Sequence, residues 1–369
     1  MIAENGYTHA VTVLRECATA HGFYASAHGY TAVWSRDSMI TSLGASLVRD
    51  SRMRRAFRQS LISLAKHQSK MGEIPNNVDL WDKRRKKQVT FASIDSTLWW
   101  LIGMQVYAKR YHDRSLLRRF QGKMGGALRW VQYQDAGSDG LPEQQPTTDW
   151  MDAFPHKYGH VLNTQALYYA ALRLMGKGAA ARKVKELVNG KVRKDLNLFD
   201  RTRGYYLPYI WKSHDGIREQ ESWFDALGNL LAVVFGLANR GQALRILAHI
   251  KKRRINLPYP VKALDPPFRP GKAGWHPYFA KSDARIPRHY LNGGIWLYIG
   301  GFYVLALVQC GRRKEAEQEL EKMAAGLLRG NSPEWLDGKT GKPHGEWQAW
   351  NAGMYVLAYE GVKRGRAAL

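Results

Sequence analysis

Apolar residues recur at helical spacing through the whole chain, with polar residues at the intervening positions. We find no convincing strand run of more than a few residues. The pattern therefore predicts a chain built almost entirely of helices. Twelve helices are predicted, at residues 7–21, 37–49, 53–68, 94–111, 114–135, 160–176, 178–189, 221–239, 241–253, 291–309, 313–329 and 346–361.

The links between these helices alternate between short and long. The short links, which make antiparallel hairpins, lie at 49–52, 112–113, 176–177, 240 and 311–312. The long links, which are rich in Gly, Pro, Trp and charged residues, lie at 69–93, 136–159, 190–220, 254–290 and 330–345.

This alternation predicts an all-α fold, a closed (α/α)6 barrel of six helical hairpins in a single domain over residues 1–369. We expect the first helix of each pair outside the ring and the second inside. The long loops then reach one face, above the N-termini of inner helices, where unpaired N–H groups favour carboxylates and hydroxyl-rich ligands. Long ordered loops are usually functional, so this face is where we expect the chemistry.

Aromatic residues and cysteines narrow the class of protein. The 13 Trp and 19 Tyr suit stacking on sugars, nucleobases or interfaces, although helix packing is the alternative use for many of them. Cys17 and Cys310 have no metal-ligand or redox spacing, and so few thiols favour a reducing compartment, the cytoplasm. No signal-like stretch opens the chain, and no apolar run approaches the length that spans a membrane.

The net charge of +25 favours polyanionic partners such as nucleic acid. A basic, solvated surface is the alternative, and we prefer it because the charge is scattered and no nucleic-acid-binding module accompanies it. No cofactor and no metal are expected, because no His or Cys cluster has ligand spacing.

Acid, amide and aromatic residues gather where the long loops meet the predicted inner helices. Trp34 offers a ring face for stacking, Arg36 offers several N–H donors, and Asp37 offers a charged acceptor. This combination suits vicinal sugar hydroxyls. Asp95 stands where the next inner helix begins. Asp37 and Asp95 serve equally well as helix N-caps, with a structural Arg36, and the sequence leaves that alternative open.

Two further loops carry carboxylates next to Trp residues. Asp149 and Asp152 flank Trp150, and partial desolvation there raises a carboxyl pKa and suits a general acid. The alternative is an acidic loop that caps the following helix, in which Gln165 lies. Glu334 precedes a Trp and an Asp-Gly turn, so it lies on a loop, where we expect it to stay ionised beside Lys339.

The remaining candidate binding residues lie in similar positions, and no nucleotide-, metal- or serine-hydrolase motif competes with them. Paired carboxylates with aromatic platforms indicate glycosidic-bond chemistry. These remaining candidates are His289, Asn292, Trp296, Gln348 and Trp350.

From about residue 30 to 360, the sequence resembles two groups of six-hairpin glycosidases. These are the alkaline/neutral invertases and the amylo-α-1,6-glucosidase domain of glycogen debranching enzymes. The resemblance is carried by the runs WMDAFPHKYGHVLNTQALYYAALR, SIDSTLWW, HYLNGGIW and PEWLDGKTGK, and by VWSRDS, which is similar to a segment that holds the terminal glucose in several six-hairpin glucosidases.

The resemblance implies specific roles. Asp152 falls on the general acid and Glu334 on the general base of an inverting mechanism, while Arg36 and Asp37 would grip hydroxyls of the innermost sugar. Gln348 and Trp350 match the invertase-like Q-x-W. The chain departs from the invertases in lacking a long mid-sequence segment and in a shorter run before Gln348, which leaves the outer sugar subsites undefined.

Three functions follow as expectations. The first is inverting hydrolysis of a terminal α-glucosidic bond in sucrose or a short α-glucoside. The second is amylo-α-1,6-glucosidase-like or glucoamylase-like hydrolysis of α-glucan ends, which differs in the leaving group. The third is a carbohydrate-binding pseudoenzyme, and the presence of both Asp152 and Glu334 argues against it.

Overall fold

A computed structural model describes residues 1–83, 87–213 and 215–367. All twelve predicted helices are present, and the fifth is divided at Phe120 into two. Within the described ranges, no helix is both long and apolar enough to cross a membrane. The helices are α1 (Ile2–Cys17), α2 (Ser35–Ala45), α3 (Ser51–Lys66), α4 (Ile94–Tyr111), α5 (Ser115–Arg119), α6 (Gln121–Gln132), α7 (Leu162–Leu174), α8 (Gly178–Val188), α9 (Ala226–Val234), α10 (Arg240–Lys252), α11 (Leu297–Gln309), α12 (Arg313–Arg329) and α13 (Ala349–Arg364).

Six helices form a closed inner ring. α2, α4, α7, α9, α11 and α13 contact one another in that order, and α13 returns to α2. Every residue of α2 and of α9 is buried. The outer helices bury one face only, as α8 does with Ala181, Val184 and Leu187. A helix that is buried all round needs no polar stripe, whereas a helix at the surface has one. The inner helices and the outer helices therefore form two layers, and the predicted (α/α)6 barrel is confirmed.

The order within each hairpin is the reverse of the predicted one. In every pair joined by a short link, the first helix lies inside and the second outside, as α2 and α3 show. The reason is that α2 has no exposed face, whereas α3 keeps Arg52, Arg54 and Arg55 in solvent. The sixth pair has no link at all, because it consists of α1 and α13, from the two ends of the sequence.

Glycines let the inner helices approach closely where the ring closes. A Cβ atom on Gly44 of α2 would lie 1.7 Å from the carbonyl oxygen of Gly353 in α13. A Cβ on Gly353 would in turn lie 2.5 Å from the carbonyl oxygen of Thr41. Neither position accommodates a side chain, so these glycines fix the spacing of α2 and α13.

Short antiparallel strands tie the long loops together near the N-termini of the inner helices. In one example Val33 pairs with Val78, and Trp34 with Asn77, directly before α2. The strands are β1 (Ala18–Thr19), β2 (Gly22–Phe23), β3 (Val33–Trp34), β4 (Asn77–Val78), β5 (Val89–Thr90), β6 (His160–Val161), β7 (Phe199–Asp200), β8 (Tyr205–Tyr206), β9 (Tyr209–Lys212), β10 (Arg218–Gln220), β11 (Phe224–Asp225), β12 (Leu264–Asp265), β13 (Trp335–Leu336) and β14 (Pro343–His344).

Candidate active site

Four carboxylates from separate parts of the chain gather at the face where the inner helices begin. Burial, to which the charges of Asp95 and Asp152 add, raises the pKa of Asp37. Burial, to which the charges of Asp37 and Asp152 add, raises the pKa of Glu334. Neither Asp37 nor Asp95 is a helix N-cap, because α2 is preceded by Trp34 and α4 by Ser93. The N-cap alternative for these two aspartates therefore does not hold.

Arg36 is held in place by two of these carboxylates. Its Nη1 donates to both oxygens of Asp95 at 3.2 Å, and its Nε lies 4.0 Å from Asp37. Burial disfavours the guanidinium charge, but Asp95 and Asp37 outweigh it and raise the pKa of Arg36. Since the Asp95 side chain is fully buried, it positions Arg36 and is itself withdrawn from the cleft.

Asp152 and Glu334 face the cleft from different loops. The residue Asp152 as a whole is exposed, yet protein surrounds its carboxyl closely enough to displace water. Burial raises the pKa of Asp152, while Arg36 acts to lower it and Asp149 to raise it. Burial, with Asp37 and Asp152, raises the pKa of Glu334 to about 7.

The expectation that Glu334 stays ionised beside Lys339 is corrected by these surroundings. The charges that act on Glu334 are the carboxylates Asp37 and Asp152, both of which favour its protonated form. Lys339 is exposed, and its backbone N–H donates to Asp337 at the turn. Burial and these two carboxylates therefore hold the pKa of Glu334 at about 7.

The β13–β14 hairpin fixes the backbone of Glu334. Its N–H donates to the carbonyl of His344 at 2.8 Å, within the β13–β14 hairpin. Gly345 has φ +65°, and a Cβ there would lie 2.8 Å from the Cβ of Glu334. Only glycine allows the chain at position 345 to pass this close to Glu334.

A buried ion network holds the loop that carries Asp152. Lys157 Nζ lies 2.9 Å from Asp149 and 3.6 Å from Asp225, and all three side chains are fully buried. Burial disfavours the ammonium charge, but both aspartates outweigh it and raise the pKa of Lys157. Asp149 also accepts the Met151 N–H at 2.9 Å, so the network fixes the backbone next to Asp152.

Aromatic rings and unused polar atoms line the same region. Trp150 makes an edge contact with Trp296 at 5.6 Å, and Trp350 stacks on Tyr298 at 4.2 Å. Buried polar atoms without a partner are costly, and hydroxyls of a bound sugar would satisfy them. Within the described part of the chain, such atoms include the indole Nε1 of Trp34, Trp150 and Trp350, Oη of Tyr298, Oε1 of Gln165 and Gln348, Nε of Arg36, and both side-chain polar atoms of Asn163.

Four predicted binding residues use polar groups within the protein. Gln165 Nε2 donates to the Pro142 carbonyl, His289 Nε2 lies 2.9 Å from Asp337, and Trp296 Nε1 donates to the Tyr290 carbonyl. Asn292 is used at both ends: its Nδ2 donates to the carbonyls of Phe268 and Ala284, and its Oδ1 accepts the Phe268 N–H. Asn292 therefore braces the loop behind the cleft.

The sequence reasoning missed three tyrosines. Glu334, followed by burial, raises the pKa of Tyr30, and Asp37 and Asp152 contribute. Burial, followed by Asp152 and Glu334, raises the pKa of Tyr290. Tyr298 lies fully buried against Trp350. Their positions in the sequence could have identified them. Tyr30 opens the run that contains Arg36, and Tyr290 and Tyr298 flank Trp296.

Comparison with known proteins places the chain among carbohydrate-active proteins. Residues 8–355 match the family model described as amylo-alpha-1,6-glucosidase. The chain is 26% identical to a mitochondrial neutral/alkaline invertase of Oryza sativa over 72% of this chain and 50% of that protein. It is 24% identical to a probable alkaline/neutral invertase of Arabidopsis thaliana over 72% of this chain and 59% of that protein. The chain thus spans about half of these relatives' length or slightly more.

Solved structures share the fold. A mannosylglycerate hydrolase from Thermus thermophilus superposes with a TM-score of 0.71 at 18% identity, covering 95% of this chain and 99% of that one. A rhamnosidase from Klebsiella oxytoca gives a TM-score of 0.67 at 14% identity, covering 99% of this chain and 64% of that one. At these identities the likeness shows the fold alone.

Proposed function

The chain belongs to the amylo-alpha-1,6-glucosidase family, and on that premise we propose that it is an inverting glycoside hydrolase acting on a terminal α-glucosidic bond of sucrose or a short α-glucoside. The observation that carries the proposal is the gathering of Asp152 and Glu334, each with a raised pKa, beside Arg36 and Asp37. Two carboxyl groups of this kind are what glycosidic hydrolysis requires.

In the proposed reaction, Asp152 donates its proton to the glycosidic oxygen as the bond to the anomeric carbon breaks. Glu334 removes a proton from a water molecule, whose oxygen attacks the anomeric carbon from the opposite face. One new C–O bond replaces the old one, and the configuration inverts. Arg36 and Asp37 hold sugar hydroxyls, and Arg36 depends on Asp95 for its position.

The unpartnered polar atoms supply the rest of the sugar site. We assign sugar contacts to Trp34, Trp150, Gln348 and Trp350, whose buried groups find no partner in the described residues. Gln165, His289, Asn292 and Trp296 support the walls through the bonds that they make inside the protein. Asp95 has the same supporting role towards Arg36.

The stereochemistry of the product tests the mechanism. The carboxyl groups of Asp152 and Glu334 are expected to lie about 6.5–9.5 Å apart, which leaves room for the attacking water. Proton NMR of the first turnovers on an α-glucoside should therefore show β-glucose before mutarotation. Early accumulation of α-glucose would mean retention, and the roles of the two residues would have to be reassigned.

The pH dependence is the second test. Glu334 must be ionised to act as a base, and burial together with Asp37 and Asp152 raises its pKa to about 7. The value of kcat/KM should then fall about tenfold per pH unit below pH ~7, and it should fall again at higher pH, where Asp152 loses the proton that it must donate. Asp37→Asn removes a negative charge beside Glu334 and should move this acidic limb to lower pH.

A matched control separates that shift from a general effect of charge. Glu317→Gln removes a carboxylate on α12 that pairs with Arg313 in solvent, and it should leave the acidic limb in place. An acidic limb that stays at the same pH in Asp37→Asn would show that another group controls it.

A second candidate substrate is the end of an α-glucan, released by amylo-α-1,6-glucosidase-like or glucoamylase-like hydrolysis. The description of the family that matches residues 8–355 favours it. Release of reducing sugar from sucrose, trehalose, maltose, isomaltose, panose and glycogen separates the two candidates. A chain that binds these sugars without cleaving any of them would be the carbohydrate-binding pseudoenzyme.

We also propose that the whole chain is one catalytic domain, because the ring uses helices from Ile2 to Arg364. A cytoplasmic location is proposed from the two cysteines, Cys17 and Cys310, which are both free and buried. The expected partner is a small sugar or oligosaccharide.

A further inference from the structure

A cavity of about 570 Å³ lies beside the loop that carries Asp152, at the end of the ring where α4 begins. Its wall includes Ser93 and Ile94 at the start of α4, and residues just beyond the C-terminus of α6. Asp152, Glu334 and Arg36 do not line it. Its size is within the range of ligand sites.

Aromatic side chains make up much of this cavity wall. They are Phe91, Trp130, Tyr133, Tyr158 and Trp211. Tyr133 is 70% exposed and Phe91 is 41% exposed, so neither is needed for the core. The rings of Tyr158 and Trp211 lie 6.1 Å apart at 48°. The cavity therefore offers several separate ring faces to one ligand.

The polar groups of the cavity are acids and amides. Glu73 is half-buried, and within the described residues its carboxylate has no hydrogen-bond or ion-pair partner; burial raises its pKa to about 7. Gln144 is more than nine-tenths buried, and its Nε2 has no acceptor, although its Oε1 is bonded to Thr164. A hydroxyl, which both donates and accepts, matches the needs of both.

Among the residues that the structure describes, the cavity wall includes no Lys, Arg or His, in a chain whose net charge is +25. A phosphorylated or sulfated ligand would meet Glu73 and Glu143, and none of the described wall residues carries a cation to balance its charge. Ring faces combined with hydroxyl-matching groups and no cation suit a neutral saccharide.

We propose that this cavity is a second saccharide-binding site, which holds a neutral oligosaccharide and retains longer chains next to the active site. Thr148 lines the cavity and accepts the Ile94 N–H at 2.8 Å. Asp152 follows four residues later, so the two Cα atoms are at most ~14 Å apart. One α-glucan chain is long enough to occupy both sites. The choice of α-glucan as the ligand rests on the second candidate substrate of the proposed function, the end of an α-glucan.

Affinity electrophoresis in gels containing glycogen tests the second site without turnover. The experiment uses the full chain carrying Glu334→Gln, alone and combined with Tyr133→Ala, Trp211→Ala or Glu73→Gln. Each added substitution should weaken retardation by glycogen about 2- to 10-fold, the usual range for one aromatic contact. Leu328→Ala removes an exposed apolar side chain on α12 and should leave retardation unchanged.

Kinetics of the otherwise native enzyme provide a second readout. Tyr133→Ala should raise KM for glycogen or long maltodextrin while leaving kcat/KM for maltose and isomaltose unchanged. Equal losses on short and long substrates would overturn the proposal, because the residue would then belong to the active site. Unchanged retardation in all three variants would overturn it as well.

The outcomes keep the two proposals apart. A chain that cleaves no α-glucoside, yet is retarded by glycogen in a Tyr133-dependent way, would retain the second site and lose the proposed function. A chain that hydrolyses α-glucosides normally, but is retarded equally with and without Tyr133, would retain the function and lose the second site.

Discussion

Asp152→Asn and Glu334→Gln are each expected to lower kcat on an α-glucoside by about 10²–10⁴. The first change removes the proton that the leaving oxygen needs, and the second removes the base that activates water. Neither should unfold the protein, because Asp152 is exposed in the cleft and Glu334 is only half-buried. Circular dichroism and thermal melting check the fold while steady-state kinetics measure the loss.

A substrate with a very good leaving group separates the two roles. α-Glucosyl fluoride needs little protonation to depart, so Asp152→Asn should recover much of its rate on it. Glu334→Gln should not recover, because the attacking water still has no base. Equal recovery of both variants would contradict the assignment of acid and base.

Two further variants serve as matched controls. Asp95→Asn weakens the clamp on Arg36 and should raise KM, with no recovery on the fluoride, since Asp95 is fully buried against Arg36. Asp37 is the alternative acid, because burial raises its pKa to about 6. Recovery of Asp37→Asn in place of Asp152→Asn would transfer the role of acid to Asp37.

Lys157→Met is expected to destabilise the protein by about 3–5 kcal/mol, the range for breaking a buried ion pair. The change leaves Asp149 and Asp225 buried with no cation between them. Because the same network fixes the backbone next to Asp152, activity should fall even at temperatures where the variant remains folded. Thermal melting followed by circular dichroism measures the loss of stability.

The pH dependence of the stability loss in Lys157→Met, and a control substitution at the surface, show whether the lost ion pair is its cause. Burial raises the pKa of Asp225 although Lys157 acts to lower it, so without Lys157 this pKa should lie further above the unfolded value of about 4. The penalty is then small below pH ~4 and grows as the pH rises, because the folded state resists losing that proton. Lys251→Met breaks an exposed pair with Glu315 and should cost less than ~1 kcal/mol. A penalty that does not depend on pH would point to lost packing.

The helices were predictable because helical spacing is a local property of the chain. All twelve segments carry it, and α4 and α12 match their predicted bounds within two residues. The division at Phe120 was not predicted, because the apolar spacing continues across it into α6. Assigning Asp152 and Glu334 required the resemblance to known glycosidases, because neither residue has a local pattern that marks an acid or a base.

The roles of side chains around the cleft were less predictable. Asn292 was expected to contact sugar, but its side chain donates to the backbone carbonyls of Phe268 and Ala284. Phe268 lies far from Asn292 along the sequence of the loop. Tyr298 was overlooked because its ring stacks on Trp350, which lies in another helix. Contacts of this kind depend on how loops cross, which no single segment of sequence records.

By itself the sequence determined that the chain forms a ring of helices with its long loops on one face. It also determined which carboxylates were available at that face. Only the tertiary structure decided which helix of each hairpin lies inside and which charges meet. Asp37 and Glu334 are far apart in the chain, yet the charge of Asp37 adds to burial in raising the pKa of Glu334. The physical reason is that helix formation depends on neighbours within a turn or two, whereas a pKa depends on every charge and every displaced water nearby, whatever its position in the chain.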